Sequence, residues 1–328
     1  MMRVLVCGGA GYIGSNMTAM LARHGHEPVV FDNLCRGHRG AIQGARFVYG
    51  DLADHKMLVD TLKRYNIQAV MHFAAFIEVA ESVQSPLKYY HNNFCNAHNL
   101  LAAMAETGVD RLVFSSTAAV YGTPQTVPIR EDAAAGPINP YGDSKLAVER
   151  MLYFHSRTGR LRYAVLRYFN AAGAGNGDTL GEDHRPESHL IPLTIQAALG
   201  KRSQVNIYGT DYPTPDGTCI RDYIHVDDLC RAHLLALARL DDHRELVYNL
   251  GNGAGYSVRQ VVEAVRQVCG RTFKVVESPR RAGDPPVLTA DAGRAKAELG
   301  WQPERPAIEQ IVESAWRWHS RNPNGFSG

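Results

Sequence analysis

No apolar run in these 328 residues is long enough to cross a bilayer as a helix. The opening MMRVLVCGG passes directly into a strand and a glycine turn, leaving no room for the charged, apolar and cleavage regions of a leader. A cytoplasmic protein is expected. Charge of one sign is equally scarce, with 35 Lys and Arg against 33 Asp and Glu. The net charge of +2 supplies neither a basic face for nucleic acid nor a polybasic membrane anchor. An anionic partner must therefore be met by local arginines. The six cysteines, at 7, 35, 95, 219, 230 and 269, lack CxxC or zinc-like spacing and read as reduced, structural thiols. Fourteen histidines include neither HExxH nor an i,i+4 pair, so no metal is expected. Repeats and low-complexity tracts are also missing.

What is present is alternation. The β-rich runs RVLVC, PVVFD, RFVYG, QAVMHF, RLVFSS and RYAVLRY are separated by helix-length amphipathic stretches, the rhythm of a parallel sheet with helices on both faces. The runs are nearly continuous in apolar residues, as expected when both faces are covered. The fold class predicted is α/β, a doubly wound parallel sheet followed by a smaller C-terminal α/β lobe. Near residue 172 the rhythm gives way to AAGAGNGDTLGEDHRPESH, a stretch that leaves the sheet. The expected division is 1–172 and 173–328, with segments free to return to the first unit. Helices are expected at about 226–240 and 257–269.

Directly after the first strand comes GGAGYIG, Gly8 to Gly14, ahead of a helical pattern. Glycines there let backbone approach a pyrophosphate at a helix N-terminus; the ordinary alternative is a plain strand-to-helix turn. Asp32 ends the second strand, where a carboxylate takes the ribose hydroxyls of NAD and repels the 2′-phosphate of NADP. Alone it would serve equally as a turn residue.

Tyr141 and Lys145 in PYGDSK share a helix face. A phenol titrates near pH ~10, and a neighbouring cation would bring it toward use as a base. Spacing alone proves little, since helix decoration would also place the pair there. The strand RLVFSS and the next residue end in Ser115, Ser116 and Thr117, outside the carboxyl edge of a sheet, where ligands of α/β proteins bind. They serve as turn residues on the plainer reading.

Together GGAGYIG, FSSTAAVYG and PYGDSK resemble the extended short-chain dehydrogenase/reductase family, with its Rossmann-type NAD domain. RYFNAAGA, ESHLIPL, YGTDYPTPDGTCIRDYIHVDD, YNLGNG and PRRAGDPP extend the resemblance to UDP-glucose (UDP-galactose) 4-epimerases over essentially the whole chain. The resemblance implies that Tyr141 is the base, that Lys145 binds the nicotinamide ribose and tunes it, and that Thr117 takes the family's catalytic serine or threonine place. It implies an NAD site in which Gly8, Gly11, Tyr12, Ile13 and Gly14 form the loop, followed by Asp32 and Asn33. Asp51 and Leu52 would meet adenine; Phe73, Ala74, Ala75, Asn92, Ser115 and Tyr168 would complete it.

For the UDP-sugar it implies Asn170, His189, Leu190 and the arginines Arg221 and Arg281 on the diphosphate. Asp284 falls on the uridine ribose, Asn206 and Tyr208 beside uracil, and Leu288 beside the sugar. Some members carry lysine at the position of Ile77 and asparagine at that of His189, which alters one cofactor and one uridine contact. A homodimer pairing helices near 86–107 and 140–159 is also implied.

The implied reaction is NAD-dependent interconversion of UDP-galactose and UDP-glucose through a 4-keto sugar. UDP-N-acetylhexosamine and UDP-pentose remain open as substrates. A sugar-nucleotide 4,6-dehydratase needs an acid and a base after the threonine, where this chain has Ala118 and Ala119. A non-catalytic NAD-sensing module would not require Tyr141 and Lys145.

Overall fold

The computed structural model describes residues 1–281 and 284–326. In chain order the first half contains β1 (Arg3–Cys7), α1 (Tyr12–Arg23), β2 (Glu27–Asp32), β3 (Arg46–Tyr49), α2 (His55–Arg64), β4 (Ala69–His72), α3 (Val79–Gln84) and α4 (Pro86–Tyr89). A π turn, Tyr90–Cys95, leads into α5 (Asn96–Thr107), then β5 (Arg111–Thr117), α6 (Pro140–Ser156) and β6 (Arg162–Tyr168). The second half holds β7 (Asn170–Ala172), α7 (Leu190–Ala198), β8 (Val205–Tyr208), β9 (Ile220–Arg221), β10 (Tyr223–His225), α8 (Val226–Arg239) and β11 (Glu245–Leu250). It ends with β12 (Tyr256–Ser257), α9 (Val258–Cys269), β13 (Val275–Ser278), β14 (Val287–Leu288), α10 (Gly293–Leu299) and α11 (Ile308–Arg321).

Seven parallel strands form one sheet in the order β3-β2-β1-β4-β5-β6-β11. Strand order reverses between β1 and β4, which opens a crevice at their carboxyl ends. Successive residues of β1 point to opposite faces. Val4 and Val6 meet Met17 and Leu21 of α1 and Leu229 and Leu237 of α8, whereas Leu5 and Cys7 meet Leu58 of α2, Leu101 of α5 and Leu152 of α6. Each face thus buries a separate apolar layer, which is why the strands read as unbroken apolar runs. Burial holds the Cys7 thiol well above its ordinary range, with Asp32 adding to the effect.

The six strand runs and both C-terminal helices expected from sequence are present. Absent from that reading was β11, which pairs with β6 and returns the chain to the large sheet. Its sequence, ELVYNL, alternates only over part of its length, and it comes long after the other strands of that sheet, beyond the second-lobe segments β7 to α8. The second lobe surrounds its own core, in which Ile191 and Ile195 of α7 pack with Val261 and Val265 of α9 and Ile311 and Val312 of α11. Among the described residues, no helix is long and apolar enough to cross a membrane.

The lobes are joined at Asp222, a fully buried carboxylate between β9 and β10. Its oxygens accept the backbone N–H groups of Asn252 at 2.8 Å, Gly253 at 2.9 Å and Ala290 at 3.0 Å. Two separate chain segments, 252–253 and 290, are thereby fixed beside Arg221. Asp222→Ala would leave three buried donors unpaired and is expected to destabilise the protein by about 3 kcal/mol or more, with Asp222→Asn less harmful. Urea unfolding measures both; an alanine variant within about 0.5 kcal/mol of wild type would remove Asp222 from this role.

Candidate active site

A cavity of about 770 Å³ follows the crevice from the glycine turn to the second lobe. Its dinucleotide end is built by close backbone approach. Gly8 has φ of +79°, and a Cβ there would lie 2.5 Å from the Ala74 nitrogen. A Cβ on Gly14 would lie 2.1 Å from the Gly8 oxygen. The Cys7 carbonyl accepts the N–H groups of Phe73 at 2.8 Å and Ala74 at 3.1 Å, tying the exit of β4 to the glycine turn. Gly11 caps α1 without a side-chain hydrogen bond, so the cavity meets an open helix N-terminus suited to phosphate.

Asp32 accepts from the backbone of Ala10 at 3.0 Å and Leu34 at 2.8 Å. Burial raises its carboxyl titration, and these two bonds pull it back. Asn33 donates to Asp51 at 2.7 Å, and both line the cavity with Leu52, Phe73, Ala74, Ala75, Tyr12 and Ile13. The π turn brings Asn92 to the same wall. Its neighbour Asn93 is buried and bonds the backbone of Phe76 and the Ser144 hydroxyl, which anchors the turn to α6. These residues fit a dinucleotide: a tight glycine turn, free helix-end donors and a carboxylate at the second strand.

Tyr141 owes its position to the start of α6. Asn139 accepts from the Gly142 N–H at 2.9 Å, and Pro140 occupies the first turn. Thr117 ends β5, opposite Tyr168 of β6 in register, and both line the cavity with Tyr141. Deeper, Glu149 of α6 accepts from Arg167 of β6 through two oxygens, at 3.1 Å and 2.5 Å, and from Ser116 of β5 at 2.5 Å. Arg167 also donates to the Tyr121 hydroxyl at 2.9 Å.

Burial governs the side chains beneath the Thr117–Tyr141 pair. Lys145 is almost fully buried and donates to the Ser115 carbonyl at 2.9 Å, with its ammonium 4.8 Å from the Phe114 ring. Burial lowers it to about 7, against the upward pull of Glu149. Burial likewise raises the Tyr141 phenol, and the Thr117 hydroxyl offsets part of that rise. Ser115 lies beneath the cavity rather than on its wall, its hydroxyl 3.1 Å from the His233 imidazole.

At the other end the cavity meets Asn170, His189, Arg221, Arg281, Asp284 and Leu288. Asn170 donates to the Asp222 carbonyl at 2.9 Å, and Arg221 lies 3.4 Å from Asp284. The Arg281 guanidinium stacks 4.0 Å over Tyr208, whose hydroxyl accepts from Asn206 at 3.4 Å. Asn206 and Tyr208 support that arginine without lining the cavity. The Leu190 side chain packs into the second-lobe core, leaving its backbone at the start of α7 as the part nearest the site.

Sequence reading missed Glu182, His184 and Ser188 on this wall, and Glu187 behind it. Its sole signal was the polar stretch GEDHRPESH. The His189 Nδ1 lies 2.5 Å and the His184 Nδ1 3.1 Å from Glu182. Burial alone would lower His184, but Glu182 and Glu187 outweigh it and hold the imidazole up at about 9.

A family described as the NAD dependent epimerase/dehydratase family matches residues 4–251. The chain belongs to this family. A protein of Halalkalibacterium halodurans named UDP-glucose 4-epimerase is 49% identical over 327 residues, spanning 99% of this chain and 98% of its own. The crystal structure of UDP-glucose 4-epimerase from Brucella ovis in complex with NAD is 47% identical with a TM-score of 0.94, covering 97% of this chain and 98% of that one. The Bifidobacterium longum enzyme of the same name, in complex with NAD+ and UDP, is 38% identical with a TM-score of 0.94, covering 99% and 100%. As a member of the NAD dependent epimerase/dehydratase family, the chain has its glycine turn, Thr117 and Tyr141 on one crevice of the large sheet.

Proposed function

We propose that this chain is an NAD-dependent UDP-sugar 4-epimerase that interconverts UDP-galactose and UDP-glucose. The observation that carries this reading is a single cavity lined by the glycine turn, Thr117, Tyr141 and the arginines Arg221 and Arg281. In this reading, residues 1–172 with the returning strand β11 hold the dinucleotide, and most of 173–328 holds UDP. The guanidinium forks of Arg221 and Arg281 suit phosphate oxygens. Asp284 takes the ribose. Asn170, His189 and the Leu190 backbone hold the nucleotide, with Asn206 and Tyr208 acting at the uracil end only through Arg281, which they brace.

NAD, when bound, accepts the sugar C4 hydrogen with its electron pair and returns it to the other face. Tyr141 as phenolate takes the 4-hydroxyl proton, while the Thr117 hydroxyl steadies that oxygen. The 4-keto sugar turns, and Tyr141 gives the proton back to the same oxygen. Proton and hydride are both restored, so nothing is consumed. Firm contacts at the diphosphate and few at the hexose allow the turn. Ala118 and Ala119 line the cavity beside Thr117 and offer no acid or base for a dehydratase's elimination.

Incubation with UDP-galactose should yield UDP-glucose without net NADH; steady NADH accumulation would reject epimerisation. Tyr141→Phe is expected to lower kcat by about 10²-fold or more with UDP binding little changed. Near wild-type turnover in that variant would exclude Tyr141 as the base.

The wall at Leu288 supports a broader substrate range. Its side chain packs with Val120, Tyr121 and Leu146 while facing the cavity, and pairs in register with Arg221. Leucine leaves more room than a tyrosine ring for a 2-N-acetyl group to sweep past. Strong activity on UDP-galactose and weaker activity on UDP-N-acetylgalactosamine are expected. Leu288→Tyr should reduce the N-acetyl reaction about 10-fold or more beyond any loss on UDP-galactose; an unchanged ratio would show that Leu288 is not this wall.

We also infer a homodimer. Val83 at 62% exposure, Leu87 at 81% and Phe154 at 70% leave apolar surface on α3, α4 and α6. Light scattering at micromolar concentration should give twice the chain mass, and a monomer would reject the pairing.

A further inference from the structure

Glu182, His184, Glu187 and His189 converge in the segment between the large sheet and α7, and we propose that they form a four-ligand site for a divalent transition ion of the zinc type. One ligand atom from each lies within 4.8 Å of all the others. The separations are 2.5 Å for His189 to Glu182, 3.1 Å for His184 to Glu182, 3.5 Å for His189 to Glu187 and 3.9 Å for His184 to Glu187. Tetrahedral bonds of about 2.0–2.1 Å place neighbouring ligand atoms about 3.4 Å apart, and the four values fall on both sides of that spacing. His184 Nδ1 is buried and makes no well-aligned hydrogen bond, although a carboxylate lies beside it. That nitrogen lies 3.1 Å from Glu182 and 3.9 Å from Glu187.

The donor chemistry narrows the ion. Two imidazole nitrogens disfavour calcium and magnesium, and the absence of thiolate from this set disfavours copper(I). Two carboxylates balance one dication when both imidazoles are neutral, and the same set stays neutral without an ion if both imidazoles carry protons. An ion therefore replaces two protons with no change in total charge. The HExxH and i,i+4 templates overlook this set because its histidines stand five residues apart and two glutamates interleave with them.

All four positions are protein ligands, so the site is structural and closed rather than catalytic. It would brace the cavity wall. Glu182, His184 and His189 line the cavity, His189 immediately precedes α7, and Ser188 between the ligands donates to Glu78 at 3.0 Å. This role is separate from hydride and proton transfer and does not depend on the sugar.

The test uses the full-length protein with its purified dinucleotide content, dialysed against EDTA and then freed of chelator. Zinc alone is titrated in competition with a chromophoric chelator. Uptake of one equivalent per chain is expected, with Kd of about 1 µM or tighter. Cobalt(II) should give the intense visible bands of a four-coordinate site. His184→Ala and Glu187→Gln should each weaken zinc by about 100-fold, while the remote His55→Ala leaves it unchanged. Zinc should raise the thermal midpoint of wild type and not that of Glu187→Gln. No stoichiometric uptake, or the same affinity in wild type and Glu187→Gln, would overturn the proposal. Glu187→Gln preserves size and decides the question if His184→Ala fails to fold.

Discussion

The buried pair between Glu149 and Arg167 sets the geometry on which the rest of the site depends. Glu149 belongs to the helix whose first turn holds Tyr141, Arg167 to the strand that ends with Tyr168, and Ser116, bonded to the same carboxylate, to the strand that ends with Thr117. A planar guanidinium meeting a carboxylate through two bonds fixes orientation as well as distance. Burying such charges carries a desolvation cost, and good geometry with further hydrogen bonds offsets it. What the pair provides is alignment of three elements that each deliver one side chain to the cavity.

A second constraint separates holding from turning. The dinucleotide end is made of backbone contacts that tolerate no Cβ at Gly8 or Gly14 and is correspondingly rigid. The nucleotide end is made of long side chains, Arg221 and Arg281, braced by Asp284 and Tyr208. Between them, Thr117, Ala118, Ala119 and Leu288 present short side chains. Rigid walls at both ends and sparse contacts in the middle suit a substrate that must stay attached while its reacting sugar reorients.

What was legible in the sequence was local. Apolar runs with covered faces marked six strands, and the GGAGYIG turn with Asp32 marked the dinucleotide end, because each signal lies within one short segment. Tyr141 and Lys145 were legible as neighbours on one helix. The effect of burial on each was not, because it depends on residues from several elements. Ser115 and Leu190 were placed in the right segments, yet the direction of a side chain at a strand or helix end follows from packing. Asp222, Glu149 and the returning strand β11 join residues far apart in the chain, and no periodicity announces such contacts.

The π turn at Tyr90–Cys95 carries a consequence for how this chain tolerates length change. A wide turn accommodates an extra residue within an otherwise α-helical path. Removing one residue there would restore ordinary winding at little local cost. Because the extra residue is absorbed within the wide turn, the α-helical paths on its two sides would keep their angular phase with one another. The loss would be local, because Asn92 and Asn93 reach the cavity wall and α6 from within the wide turn itself. The length of this segment is thus constrained by the two asparagines that the wide turn presents, although its backbone would accept a shorter version.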